Sequence, residues 1–233
     1  MADLGANGIL GVGPAPYDCG TNCTVSPIAS SYYTCPSNGA VCQRTAVTTS
    51  QLVANQVPRF PDGYNDGISV AMNNPSGGQA TGTLTFGNGG QAPAGTTVLT
   101  TTSSGDVQGN FLGRTISDAF FDTGSNGYFF DADASTGLID CSGNYSGFYC
   151  PSQPVSLSAA LIGAAGEQAT VSFTIANART LANGGGYALP NLGGTFGSTD
   201  VLDFGLPHFY GRTIYFGMDR RSLGVSGAPY VAF

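Results

Sequence analysis

One short segment of the sequence combines a carboxylate with residues that could hold it in a fixed position. Asp122 follows the aromatic pair Phe120-Phe121 and precedes Thr123-Gly124-Ser125. A carboxylate in such an apolar strand is expected to be buried, which costs free energy unless hydrogen bonds satisfy it. Backbone N–H groups and hydroxyls of the following residues can do so, and Gly124 allows a tight turn beside the carboxylate. Asp122 is therefore the first candidate for general acid or base chemistry.

Other arrangements that could carry chemistry are poorly represented. His208 is the only histidine, and the sequence contains no Gly-x-Ser-x-Gly segment for a nucleophilic serine. We therefore expect His208 to be a packed or surface residue. The cysteine spacings do not match those of common zinc sites, and Gly184-Gly185-Gly186 lacks the strand and helix of a phosphate-binding loop. The sequence thus predicts neither a metal site nor a bound cofactor.

The cysteines indicate a disulfide-bonded protein. Cys141 and Cys150 are close enough in sequence to close a small loop, whereas the pairing within the group of four stays open. Three disulfides imply an oxidising compartment, so we expect an exported protein, periplasmic, secreted or at the cell surface. Residues 1–5 resemble no signal peptide, and a signal sequence is therefore expected upstream of Met1. The six cysteines are Cys19, Cys23, Cys35, Cys42, Cys141 and Cys150.

Composition restricts the fold class and the partners. The 233 residues include 36 glycines and 13 prolines, which disfavour a helical bundle, whereas 41% hydrophobic residues disfavour disorder. The formal net charge of −7, with no lysine, disfavours binding to nucleic acid. No apolar run is long enough to span a membrane as a helix. The composition favours a turn-rich, all-β protein.

Short alternating or β-branched segments predict the strands of such a fold, with one or two short helices between them. A turn at residues 163–166 predicts a hairpin between its flanking strands, and Pro207 can begin a short helical turn. The aromatic group at 128–130 is expected to lie in the core. The predicted strand segments are 9–13, 68–72, 81–86, 96–102, 110–116, 119–121, 128–130, 155–162, 170–175, 213–216 and 229–233.

Three segments resemble those of pepsin-like aspartic peptidases. Phe120 to Ser125 is similar to the hydrophobic-hydrophobic-Asp-Thr-Gly-Ser signature of that family. Ile9-Leu10-Gly11 resembles the strand that closes the N-terminal lobe, and the stretch from Phe204 to Val225 resembles the end of the C-terminal lobe. The Gly-Leu-Pro segment at 205–207, followed by aromatic residues and Gly211-Arg212, also resembles an uncharacterised bacterial family of exported proteins, domain of unknown function 3443.

The resemblance implies a role for each matching residue. Asp122 would be the catalytic aspartate of the second lobe, and Thr123 would lock two catalytic loops together. Ser125 would donate a hydrogen bond to the outer carboxylate oxygen. Gly205 would pack under the loop, and Gly11 would brace the corresponding loop of the first lobe. Asp203 departs from the family pattern, because an apolar residue is expected there.

The resemblance also implies that this chain holds half of a catalytic dyad. Pepsin-like catalysis needs two aspartates, and no second Asp-Ser/Thr-Gly segment occurs in the sequence. Residues 1–45 would be the end of the N-terminal lobe with a cysteine-stapled loop, and residues 46–233 the C-terminal lobe. The expected partners are a peptide or protein substrate and the remaining N-terminal lobe of the same protein. A homodimer that joins two Asp122 loops is disfavoured.

Two alternatives to an aspartic peptidase remain open at this point. The chain could have the pepsin-like fold without activity, as a binding or inhibitory protein. It could instead be a secreted β-rich adhesion or carbohydrate-binding module, in which Asp122 serves only as a turn residue. The position of Asp122 relative to Gly205 tests the adhesion or carbohydrate-binding module, whereas the sequence upstream of Met1 would separate the enzyme from the inactive binding protein.

Overall fold

The structure is a computed structural model that describes residues 11–19, 22–27 and 31–233. Within these ranges the chain forms two short α-helices and fourteen β-strands, so it is mainly β as the composition predicts. In chain order the elements are α1 (Asn22–Val25), β1 (Tyr33–Thr34), β2 (Gln43–Arg44), β3 (Gly67–Met72), β4 (Gly82–Phe86), β5 (Val98–Thr100), β6 (Val107–Phe111), β7 (Arg114–Asp122), β8 (Tyr128–Phe129), β9 (Val155–Ile162), β10 (Gln168–Ile175), α2 (Ala178–Asn183), β11 (Gly193–Gly194), β12 (Val201–Gly205), β13 (Thr213–Gly217) and β14 (Tyr230–Ala232).

The strands of the described residues form three sheets. A seven-stranded sheet has the order β10-β9-β6-β7-β12-β8-β11, and a five-stranded sheet has the order β4-β3-β13-β14-β5. Strands β1 and β2 pair as a separate two-stranded ribbon. Six 3-10 helices connect the described strands, at Thr49–Gln51, Val57–Arg59, Ala134–Thr136, Gly143–Tyr145, Leu206–Phe209 and Arg221–Leu223.

The main hydrophobic core lies between the two large sheets. Phe111, Phe173 and Phe204 come from the seven-stranded sheet, whereas Ile214 and Val231 come from the five-stranded sheet. All five side chains are buried. Burial of aromatic and branched aliphatic side chains stabilises the folded state by about 25 cal/mol for each Å² of apolar surface removed from water. Of the aromatic group 128–130 expected in the core, Tyr128 and Phe130 are buried, whereas Phe129 is half-buried.

Two predictions about β-structure need correction. The segment 110–116 was expected to be one strand, but it contains the turn between β6 and β7. Leu112 and Gly113 adopt φ values of 52° and 73°, the left-handed region in which glycine is favoured and leucine is rare. Of the predicted strand at 9–13, Ile9 and Leu10 lie outside the described residues, and residues 11–13 are not in a strand.

The predicted hairpin around residues 163–166 is confirmed. Strands β9 and β10 pair in register from Val155 with Ile175 to Ile162 with Gln168. The side chains alternate between exposed and buried along both strands, which is the pattern of a sheet with one face on the core.

All six cysteines form disulfides. Cys141 is bonded to Cys150, as the sequence predicts, and the pairing that the sequence left open is Cys19 with Cys23 and Cys35 with Cys42. Cys35–Cys42 closes the loop between β1 and β2, whereas Cys141 packs with Ala178 and Leu192 in a small buried cluster beside the main core. Among the described helices, neither the length nor the apolar character needed to cross a membrane is found.

Candidate functional site

Asp122 is the last residue of β7, at the point where the chain leaves the seven-stranded sheet. Its Oδ1 accepts a hydrogen bond from the Gly124 N–H at 2.8 Å, and its Oδ2 accepts one from the Ser125 hydroxyl at 3.2 Å. The predicted burial of Asp122 is wrong, because the side chain is exposed. Exposed and buried residues alternate along this strand, and Asp122 is exposed next to the buried Phe121. The two hydrogen bonds therefore orient a carboxylate that solvent can reach.

The loop after Asp122 does not join two paired strands. Strands β7 and β8 lie on opposite sides of β12, which is parallel to β7 and antiparallel to β8. In this register Gly205 lies beside Asp122, and Phe204 lies beside Tyr128. Asp122 is thus not at the tip of a hairpin. The loop crosses over the end of β12 instead.

Gly205 allows this crossing because it has no side chain. A Cβ atom at this position would collide with the carbonyl oxygen of Gly127 and would lie 2.6 Å from the carbonyl oxygen of Ser125. The next residue, Leu206, donates its N–H to the Ser125 carbonyl at 2.7 Å. Close backbone packing and this hydrogen bond fix the position of the loop. They thereby also position the Gly124 N–H and the Ser125 hydroxyl, which donate to the Asp122 carboxylate.

Asp203 is a second carboxyl group beside the loop, and sequence reasoning did not assign it a function. Its exposed fraction is only 2%, and its Oδ1 has no hydrogen-bond partner among the described residues. Burial raises the pKa of Asp203 to about 7; a hydrogen bond with Ser125 opposes this rise, and the charge of Asp122 adds to it. The sequence contains one sign of this site, because Asp203 is an acidic residue in an apolar strand, at a position where the pepsin-like pattern has an apolar residue.

His208 lies in the 3-10 helix after β12, on the core side of the sheet. It is 2% exposed and its ring packs against Phe121 and Phe204, with ring centroids 5.2 Å away in both cases. Burial lowers the pKa of His208 to about 3, and the charge of Arg212 acts in the same direction. His208 is therefore a neutral, packed histidine, one of the two positions that the sequence allowed.

A cavity of about 500 Å³ opens beside the Asp122 loop. Apolar side chains from both large sheets form most of its wall, and Asp122, Thr123 and the half-buried Asp106 contribute polar groups. Burial raises the pKa of Asp106 against a hydrogen bond from Thr102, with a further contribution from the charge of Asp118. The apolar side chains of the wall are Val12, Ile68, Val70, Phe120, Phe121 and Phe216.

Gly11 also lines the cavity but makes no close contact that requires a glycine. A Cβ atom there would meet nothing within 4 Å, and the residue is exposed. The bracing role of Gly11 and the locking role of Thr123 both involve a second catalytic loop, and they stay predictions. Within the described part of the chain, no cluster of three or more His, Cys, Asp or Glu side chains could hold a metal ion.

The comparisons with known proteins identify a family but no characterised relative. The model of the family described as "Protein of unknown function (DUF3443)" matches residues 1–233. No curated protein and no solved structure matches the chain. The match covers every residue, including the Asp122 loop, the strand with Asp203 and Gly205, and the six cysteines. The chain therefore belongs to the DUF3443 family.

Proposed function

We propose that this chain forms one lobe of an aspartic peptidase and that Asp122 is one of its two catalytic carboxylates. One arrangement carries the proposal. The exposed Asp122 carboxylate accepts hydrogen bonds from Gly124 and Ser125 in the loop between β7 and β8. This loop crosses the end of β12, which lies between those two strands, and Gly205 of β12 allows the loop backbone to pack closely against it. A structural turn does not need a carboxylate fixed at both oxygens and directed toward a cavity.

The chemistry follows from two carboxylates that face each other. Two such groups a few ångströms apart cannot both ionise, so they share one proton. The ionised carboxylate takes a proton from a bound water while the water oxygen attacks the peptide carbonyl carbon. The protonated carboxyl donates a hydrogen bond to the carbonyl oxygen, which becomes negatively charged in the tetrahedral species. Collapse of that species expels the amine, which leaves with a proton from the carboxyl pair.

The second catalytic carboxylate would come from another Asp-Thr/Ser-Gly loop. This sequence holds one such segment, at 122–124. We therefore propose that a second lobe of the same protein places its loop across the cavity from Asp122, where the charge of one carboxylate would raise the pKa of the other. Residues 11–14, which line the cavity, would belong to the segment that connects the two lobes.

The cavity supports a peptide as the substrate. Its wall is mainly apolar, and its polar groups come from the Asp122 loop and from residues 101–106. A peptide could place an apolar side chain against Ile68, Val70 and Phe216 while its backbone lies beside Asp122. The three disulfides support an exported enzyme that works in an oxidising compartment.

Binding without hydrolysis is the second candidate function. It is favoured by the single Asp-Thr-Gly segment of the sequence, because one such carboxylate cannot carry out the two-carboxylate reaction. In this case the same cavity would hold a peptide or protein without cleaving it.

Incubation of the full-length protein with an unfolded protein substrate separates these functions. A peptidase is expected to release peptides at acidic pH and to lose the activity when Asp122 is changed to Asn. Retention of the substrate as an intact complex, with no new peptides in the mass spectrum at any pH, would support the binding protein instead. Full cleavage by the Asp122→Asn variant would exclude Asp122 from the reaction.

A further inference from the structure

The buried carboxyl of Asp203 lies on the side of the sheet that faces away from the main core. Its neighbours in the strand, Leu202 and Phe204, belong to the core, and successive side chains of a strand point to opposite faces. The same alternation applies to β7, in which Phe121 belongs to the core and Asp122 does not. Asp203 and Asp122 are therefore on the same face of two adjacent parallel strands.

The register places the two carboxyl groups close together along this face. Asp203 lies beside Phe120 of β7, two residues before Asp122, and Gly205 lies beside Asp122. Because Gly205 has no side chain, the backbone of the loop that carries Ser125 lies where a Cβ atom of residue 205 would be. The Ser125 hydroxyl donates to Asp122 Oδ2 at 3.2 Å and also interacts with the Asp203 carboxyl.

We propose that Asp122 and Asp203 share one proton through the Ser125 hydroxyl, which makes Asp203 the positioning residue that sets the protonation state of Asp122. A hydroxyl can accept one hydrogen bond while it donates another. With the proton on Asp203, its O–H donates to Ser125 Oγ, and the Ser125 O–H donates to the ionised Asp122. If the Asp203 proton moves to Ser125 Oγ and the Ser125 hydroxyl proton moves to Asp122, Asp122 becomes protonated and Asp203 becomes ionised. The three groups together then hold the same number of protons as before.

The surroundings of Asp203 favour a carboxyl that keeps its proton. Oδ1 has no partner among the described residues, and an ionised carboxylate without partners is costly to bury. The charged side chains near this face are carboxylates. Asp118 and Asp122 lie on β7, and Asp131 follows β8 and accepts hydrogen bonds from the N–H groups of Phe196 and Gly197.

The basic residues Arg114 and His208 lie elsewhere in these elements. Arg114, at the far end of β7, donates to the Asp131 carbonyl oxygen. His208, in the 3-10 helix after β12, is on the opposite face among Phe121 and Phe204. The charge of Asp122 favours the protonated form of Asp203.

The sharing of a proton has a consequence for catalysis that rests on the proposed function. Coupling to Asp203 gives Asp122 a second proton-exchange partner within its own lobe. We expect the basic limb of the pH–rate profile to depend on Asp203, although Asp203 itself does not touch the substrate.

The sharing itself can be measured without any substrate. Carbon-13 labelling of aspartate carboxyl groups in the full-length protein gives a titration curve for each assigned residue by NMR. In the unchanged protein, the signal of Asp122 should move in two steps, and the second step should coincide with the titration of Asp203 near pH 7. The Asp203→Asn variant should remove the second step from the Asp122 curve.

Two further variants control the measurement. Ser125→Ala removes the bridging hydroxyl and should shrink the second step of Asp122 while Asp203 still titrates; this variant also tests the proposal if Asp203→Asn fails to fold. Asp118→Asn, an exposed change on the same strand, should preserve both steps. An Asp122 curve that is the same with and without Asp203 or the Ser125 hydroxyl would overturn the proposal.

The outcome is separable from the test of peptidase activity. Two coupled steps in a protein without peptidase activity would support proton sharing and refute the proposed function. A protein that cleaves peptides while Asp122 titrates independently of Asp203 would support the function and refute the sharing. If both hold, Asp203→Asn should shift the basic limb of the pH–rate profile, whereas Asp118→Asn should leave it in place.

Discussion

Two buried titratable side chains on either side of one strand act on stability in opposite directions. Asp203 has a pKa of about 7 in the folded protein against 3.8 for an ordinary aspartate, because its charged form is poorly solvated. His208 has a pKa of about 3 against 6.5 for an ordinary histidine, for the same reason. At a pH between the folded and unfolded pKa values of Asp203, this carboxyl is protonated in the folded protein and ionised in the unfolded chain. At a pH between the two pKa values of His208, the imidazole is neutral in the folded protein and protonated in the unfolded chain.

The first prediction follows from these signs. Between about pH 4.5 and 6, the stabilisation due to Asp203 is lost as the pH rises, whereas that due to His208 is lost as the pH falls. Each slope approaches about 1.4 kcal/mol per pH unit, so the two nearly cancel. In urea unfolding experiments, Asp203→Asn should make the free energy of unfolding rise with pH, and His208→Phe should make it fall. Variants with the same pH dependence as the unchanged protein would contradict these assignments.

The sequence predicts the contacts of a residue with its neighbours along the chain, but not its contacts with residues that strand pairing brings close. Asp122 could be selected because its own segment supplies its hydrogen-bond donors, at Gly124 and Ser125. Its exposure could not be predicted, because it depends on which face of the sheet packs against the core. Asp203 could be recognised as unusual, but its proximity to Ser125 depends on the pairing of strands about 80 residues apart in sequence.

The loop and strand β12 form one structural unit, and Gly205 is its contact point. A methyl group at Gly205 would meet two backbone carbonyl oxygens, which cannot move aside as the end of a flexible side chain can. By contrast, a methyl group at Gly11, on the wall of the same cavity, would meet nothing within 4 Å.

We therefore predict different effects of two glycine-to-alanine changes. Gly205→Ala should lower the free energy of unfolding by about 1–3 kcal/mol, the usual cost of forcing extra atoms into a packed region. It should also disturb the NMR signals of Gly124 and Ser125. Gly11→Ala should change stability by less than about 0.5 kcal/mol, as is typical of open surface positions. Equal stabilities for the two variants would show that the loop does not rest on Gly205.

The disulfides occupy two kinds of structural element and should differ in their effects. Loops of about ten residues are closed by Cys35–Cys42 and by Cys141–Cys150, with sequence separations of 7 and 9. Loop-closure entropy alone assigns each a stabilisation of about 2–3 kcal/mol. Cys141 packs in a buried cluster, however, whereas Cys35 and Cys42 are exposed at a two-stranded ribbon.

We predict that replacing Cys141 and Cys150 by Ala lowers the global free energy of unfolding by at least about 2 kcal/mol. Replacing Cys35 and Cys42 by Ala should instead increase hydrogen exchange at β1 and β2 and leave the protection of the large sheets unchanged, because the ribbon can open by itself. A global loss of protection in the second variant would show that the ribbon is part of the main folding unit.

At the scale of the whole molecule, composition and local pattern predicted the class of the fold and most of its strands. Alternating segments such as 155–162 define their own strands, and the Gly-rich turn after them defines their hairpin. The order of the seven-stranded sheet could not be predicted, because β12 inserts between β7 and β8 from far along the chain. This insertion of β12 places Gly205 beside Asp122 and Asp203 on the strand next to it, and these residues together form the candidate site.

Comparison of Asp122→Asn with Asp118→Asn in the full-length protein tests whether the Asp122 carboxylate takes part in peptide hydrolysis, as we propose. Both changes replace an exposed aspartate of β7 by its amide, so the change of charge is matched. At acidic pH, Asp122→Asn should lower the rate of cleavage of an unfolded substrate by a factor on the order of 10² or more, as expected for loss of a general base. Asp118→Asn should cleave at the rate of the unchanged protein. Equal rates for all three proteins would contradict the account.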